Sequence, residues 1–153
     1  LVNNIQLNNV AERTHVIPLA IYNKNSIQRL NLSNQENAGA LSTFGNSYDQ
    51  YGNEMKIKGY YNTIGMKLDH FIDTYKIKGP DYVKIDVDGI EHLILEGMDH
   101  IFDNTKSILI ELTSSFREQF DRSQKILKSK NFHLDVNTRL TSDTSNQIWV
   151  KNK

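Results

Sequence analysis

The chain contains no cysteine. That absence removes disulfide frameworks, thiolate zinc sites and cysteine nucleophiles together, so a catalyst must be a carboxylate, a histidine, a hydroxyl or a bound cofactor. Long apolar runs are lacking too. None approaches the roughly 20 residues needed to span a bilayer, and the opening Leu1-Val2-Asn3-Asn4 has no basic stretch followed by an apolar one. Neither sign of charge is in excess: Lys plus Arg and Asp plus Glu number 18 each, without a long run of either, which leaves no field for nucleic acid or anionic lipid. A small-molecule or glycan partner fits this composition, with no membrane partner; oligomeric state is not legible. The composition reads as that of a soluble domain, with the cytoplasm as the expected compartment. A phosphate-cradling loop is also missing, because Gly39, Gly45 and Gly52 are too loosely spaced and no G-x-G-x-x-G follows an apolar run.

What is present suits one α/β domain of 153 residues. It opens on Leu1 rather than methionine, and a processed product or a fragment of something longer is expected. Residues 14–22, THVIPLAIY, are β-branched and apolar and read as a strand, with Pro18 demoting it toward an edge. Residues 23–53 are rich in Asn, Ser and Gly and read as a long loop over the fold. Leu68, Phe71, Ile72 and Tyr75 fall on one helical face that stops at Gly79-Pro80. Residues 81–87 carry apolar side chains to both faces, the mark of a central strand in a covered parallel sheet. Ile90, Leu93, Ile94, Gly97, Met98, Ile101 and Phe102 predict one unbroken helix. Residues 107–112, SILIEL, form a second buried strand, and Ser115 with Glu118 a capping box opening a helix through about Ser129, with Phe116, Phe120 and Leu127 inward. Two short strands, at 132–136 and 147–151, close the chain as an antiparallel pair around the polar loop 137–146. Sheets of this kind bind ligands at the carboxyl ends of their strands, which places Asp86, Asp88 and Glu111 on one rim.

Asp86 ends an otherwise apolar strand, so its charge would be partly desolvated and in need of a partner. Asp88 has a plainer reading as helix N-cap, with Glu91 at the third helical position. The two aspartates also present hard oxygens suited to a divalent metal, although an EF-hand loop is ruled out because Ile90 stands where a ligand is needed and the glycine comes early, at Gly89. Glu91 and His92, in the first helical turn, are candidate general bases or else solvated helix residues, and Glu111 is a second rim carboxylate. Glu96 and His100 have the spacing of a helix-face pair, and His15, His70 and His133 lack any local partner.

Residues 80–98, PDYVKIDVDGIEHLILEGM, resemble the signature of the FkbM family of S-adenosylmethionine-dependent methyltransferases, in which a Lys-Ile-Asp-Val-Glu-Gly strand end opens a helix. Leu68-Asp69, residues 107–111, residues 16–20 and Gln147-Ile148-Trp149-Val150 resemble that family in order and spacing. Asp88 stands where the family more often has glutamate. The resemblance implies a Rossmann-like class I methyltransferase fold, incomplete at its amino end, because the Gly-rich cofactor loop and the acidic ribose-binding strand end would precede Leu1. Two strands would then be missing between the strand at 14–22 and that at 81–87. S-adenosylmethionine is the implied cofactor, with Ala20, Asp86 and Asp88 on its side. Asp86 stands at the junction with the acceptor, with Glu91, His92 or Glu111 as proton acceptor; the loop 39–45 lines the pocket. The implied reaction is methylation of a hydroxyl on a sugar or secondary metabolite, with no metal site assigned. Two rivals stand beside it: a metal-dependent nucleotide-sugar transferase using Asp86-Val87-Asp88, and a non-catalytic remnant acting as an interaction domain.

Overall fold

Two four-stranded sheets share one apolar core. The computed structural model describes residues 1–34, 41–136 and 145–152. The first sheet comprises β1 (Ala20–Ile21), β2 (Ser26–Leu32), β3 (Ser42–Phe44) and β4 (Gly59–Met66) in the order β1-β4-β2-β3, with β1 parallel to β4 and the other pairings antiparallel. The second comprises β5 (Tyr82–Ile85), β6 (Ser107–Glu111), β7 (Phe132–Leu134) and β8 (Asn146–Lys151) in the order β5-β6-β8-β7. There β5 runs parallel to β6, and β8 runs antiparallel to both β6 and β7. The helices are α1 (Val2–Leu7), α2 (Leu68–Tyr75), α3 (Glu91–Glu96), α4 (Ile101–Asn104) and α5 (Arg117–Ser129). The mixed α/β class and the closing antiparallel pair are as the sequence predicts; the polar loop between that pair falls mostly outside the described residues.

Strand β6 is the centre of the second sheet. Its Ile108 and Ile110 are fully buried, and in the same core lie Leu95, Phe102, Leu127 and Trp149, each at 1 % exposure or less. Tyr22 and Phe44 of the first sheet join this cluster, stacked edge to face at 5.2 Å between ring centroids. The sheets are therefore held by side chains packed against α3 rather than by backbone pairing.

Several sequence expectations are corrected. The strand at 14–22 shrinks to Ala20–Ile21: Pro18 has no N–H to give, and Val16 and Ile17 are exposed. The supposed loop at 23–53 contains β2 and β3. Their alternation is inverted, with Ile27 72 % exposed and Asn31 buried at 7 %, so hydrophobic patterning concealed them. Residues 82–85 form an edge strand, not a central one, because none of the described residues pairs with the side of β5 opposite β6, and Tyr82 is exposed. Neither expected cap forms: the residue before α3 is Ile90, that before α5 is Phe116, and neither helix has a side-chain cap. Ser115 instead meets the Thr113 hydroxyl at 2.8 Å.

The predicted helix over 90–102 buries all its apolar positions yet breaks into α3 and α4. The break sits at Gly97, whose backbone lies against the carbonyl of Tyr22. Asp69 of α2 then caps α4 from outside, accepting the backbone N–H of Asp99 at 2.5 Å and of Ile101 at 3.2 Å. His100 accordingly faces Asp69 and Asp73 at 3.4 and 3.2 Å, and Glu96 pairs with Arg122; the expected Glu96–His100 pair does not form. Asp69→Ala should therefore cost about 1 kcal/mol, the usual value of a lost cap. An unchanged urea midpoint would refute this role.

Candidate active site

The carboxyl ends of β5 and β6 lie side by side, since Ile85 pairs with Ile110 in register. One residue further on are Asp86 and Glu111, and the turn 86–90 then leads into α3. Gly89 makes this turn possible: its φ is +98°, and a Cβ there would sit 2.7 Å from the carbonyl oxygen of Asp49. The loop after β3 thus lies directly over the turn. Asp49 holds that loop by accepting the N–H groups of Tyr51 and Asn53, both at 2.9 Å, and Gly52 packs on the Phe116 ring.

Two cavities flank the turn, and Val87 lines both. The larger, of about 480 Å³, lies between β1 and β5 and is walled by Ala20, Ile21, Phe44, Ile85, Ile94 and Met98, with Asp86 among its lining. β1 and β5 are the outer strands of their sheets, and each borders this cavity. The smaller, of about 60 Å³, is polar and holds Glu91, Glu111, Gln119, Thr113 and Ser145 beneath Gln50 and Tyr51.

The sequence candidates separate between these spaces. Asp86 is exposed, and its partner is Lys84 at 2.5 Å. Asp88 is not a helix cap. Its carboxylate accepts the Ser42 N–H at 3.0 Å and also the Leu41 N–H, tying β3 to the turn; burial pushes its pKa up. Ala20, Ser42 and Phe44 all line the larger cavity. Ser42 and Phe44 place part of the predicted 39–45 loop there, while Gly39 and Ala40 fall outside the described residues.

Glu91 and His92 are both 1 % exposed, which overturns their reading as solvated helix residues. They serve different surroundings. Glu91 accepts a hydrogen bond from the Gln119 side-chain amide and lines the small pocket, where burial, with the Glu111 charge adding to it, raises its pKa to about 7. His92 lines neither cavity. It packs edge to face on Phe116 at 6.1 Å, its Nδ1 is buried without a partner among the described residues, and burial lowers its pKa to about 4. Glu111 accepts the Ser145 hydroxyl.

Gln119 was missed by sequence reasoning, because glutamine on an otherwise polar helix carries no pattern. It is 2 % exposed, donates to Glu91 and accepts the Thr113 N–H at 3.4 Å. Chemically, the small pocket can hold one hydroxyl-sized group beside a carboxyl whose pKa lies near neutrality, the condition a general base requires. Compared with known protein families, residues 2–141 match the family described as the methyltransferase FkbM domain. No curated protein and no solved structure matches the chain.

Proposed function

Because the chain belongs to the FkbM methyltransferase domain family, we propose that it works as an S-adenosylmethionine-dependent methyltransferase acting on a hydroxyl of a sugar or secondary metabolite. The observation that carries this reading is that an apolar cavity and a pocket holding two carboxyls adjoin at Val87, which lines both. The cavity's size is in the range of cofactor sites, its apolar walls suit an adenine ring, and Asp86 offers a carboxylate for ribose hydroxyls. When bound there, the cofactor supplies an electrophilic methyl group. The chain's own part is to hold the acceptor oxygen in line and to take its proton. Glu91 is the proton acceptor in this reading. Glu111 and Gln50 orient the hydroxyl, Gln119 fixes the Glu91 carboxyl, and His92 has no part because it reaches neither cavity.

The fold proposed with it is Rossmann-like, of the methyltransferase class I kind, and β5-β6-β8-β7 suits one side of such a sheet. The outer edges of β1 and β5, unpaired among the described residues and bordering one cavity, suit the insertion of further strands bearing the cofactor loop. The sugar-transferase rival is disfavoured by the aspartates themselves: Asp86 pairs with Lys84, whereas Asp88 is engaged by the Ser42 and Leu41 backbone.

Calorimetric titration of S-adenosylhomocysteine into this chain and into a version extended at its amino end tests both parts. Saturable binding by the extended chain alone is the expected result. Binding of equal strength by both would remove the inserted strands and keep the methyltransferase; binding by neither would remove the methyltransferase.

A further inference from the structure

A second groove, of about 410 Å³, lies on the first sheet and is lined by Ile27, Gln28, Arg29, Asn31, Asn46 and Asn62 among others. It shares no lining residue with the two cavities at the rim. Four of its side chains are amides and one is a guanidinium, and no carboxylate lines it. Arg29 is held at the groove by the Tyr60 ring, 4.3 Å from its centroid. Among the described residues it enters no ion pair.

Three of the four amides are fixed by hydrogen bonds. Asn31 donates to the Asn46 carbonyl at 2.6 Å, Asn46 to the Phe44 carbonyl at 3.2 Å, and Gln28 to the Ser26 hydroxyl at 2.8 Å. Ordered amides beside a bare glycine, Gly45, give polar edges that lose little freedom on meeting a ligand. The same sheet adds an apolar shelf: Ile27 pairs across the strands with Ile64, and they are 72 % and 53 % exposed.

We propose that this groove binds a uronic acid unit of a glycan, with Arg29 on the carboxylate, the amides on ring hydroxyls and the Ile27–Ile64 shelf under a C–H face. The guanidinium fork matches a carboxylate in two parallel hydrogen bonds, which an amide groove alone cannot offer. The site is independent of the methyltransferase reading, because no rim residue takes part.

The test is nitrogen-15 NMR of the whole chain titrated with methyl glucuronoside, methyl glucoside and acetate. Methyl glucuronoside should shift the side-chain amides of Gln28, Asn31, Asn46 and Asn62 together with Arg29 Nε. Methyl glucoside and acetate should each bind about tenfold more weakly, the scale of one charge-assisted contact. Arg29→Gln, at an exposed position, should keep the backbone spectrum and lose the same tenfold. Absence of binding, shifts centred elsewhere, equal affinity for the glucoside, or an unaffected Arg29→Gln variant would each overturn the proposal. Acetate binding as tightly as the glucuronoside would reduce the site to a bare anion contact and overturn it too.

Discussion

Gly97→Ala should destabilise the protein by about 3 kcal/mol, the upper part of the range for overfilling a packed interior. A Cβ at this position would stand 2.1 Å from the carbonyl oxygen of Tyr22, 3.0 Å from its carbonyl carbon and 3.2 Å from the Asn23 Cα. All three are backbone atoms, so no rotamer change relieves the contact. The Tyr22 backbone is itself tied down, donating to the Met66 carbonyl at 2.9 Å. The first sheet must therefore move off α3 as a unit, pulling Tyr22 and Phe44 away from the shared core. Urea unfolding should show a lower midpoint with little change in slope. A midpoint matching the parent would mean the sheets are not seated on each other at this point. The same contact helps set the spacing between β1 and β5, so the variant should also alter the cavity between them.

That contact shows where the sequence was readable and where it was not. Every position of the apolar spacing from Ile90 to Phe102 is buried, because burial follows the helical period even when the helix is interrupted, but that spacing passed over Glu91, His92 and Leu95, which are buried as well. The interruption could not be read, since it is caused by a carbonyl 75 residues away in sequence and by a cap supplied from Asp69. Likewise Asp88-Gly89-Ile90-Glu91 has the letters of a capping box. The tertiary structure spends Asp88 on the backbone of Ser42 and Leu41 and buries Glu91 against Gln119. The rim of Asp86 and Glu111 was legible because β-strand ends are fixed by their own apolar pattern. The strands β2 and β4 were not, because their exposed faces carry Ile27, Tyr60, Tyr61 and Ile64 and so invert the usual code.

Glu91 and His92 should contribute opposite pH dependences to stability that nearly cancel in the parent protein and appear when either is replaced. Folding raises the Glu91 pKa from 4.5 to about 7, so between those values the folded state holds a proton the unfolded chain has released. Stability from this group is complete below pH 4.5 and falls as pH rises toward 7. Folding lowers the His92 pKa from 6.5 to about 4, so between those values the unfolded chain holds the extra proton. Stability from this group is complete above pH 6.5 and falls as pH drops toward 4. Each span corresponds to about 3 kcal/mol at 1.36 kcal/mol per unit. Glu91→Gln keeps an acceptor and donor for Gln119 and removes the first slope. Its stability relative to the parent should climb by about 3 kcal/mol from pH 4.5 to pH 7, leaving it more stable than the parent at pH 8. His92→Phe removes the second slope, and its stability relative to the parent should fall by a similar amount from pH 4 to pH 6.5. Denaturant unfolding at half-unit steps of pH reads both. Parallel profiles for the parent and both variants would show that neither burial reaches the charge, and would withdraw Glu91 as a carboxyl poised for proton transfer near neutral pH.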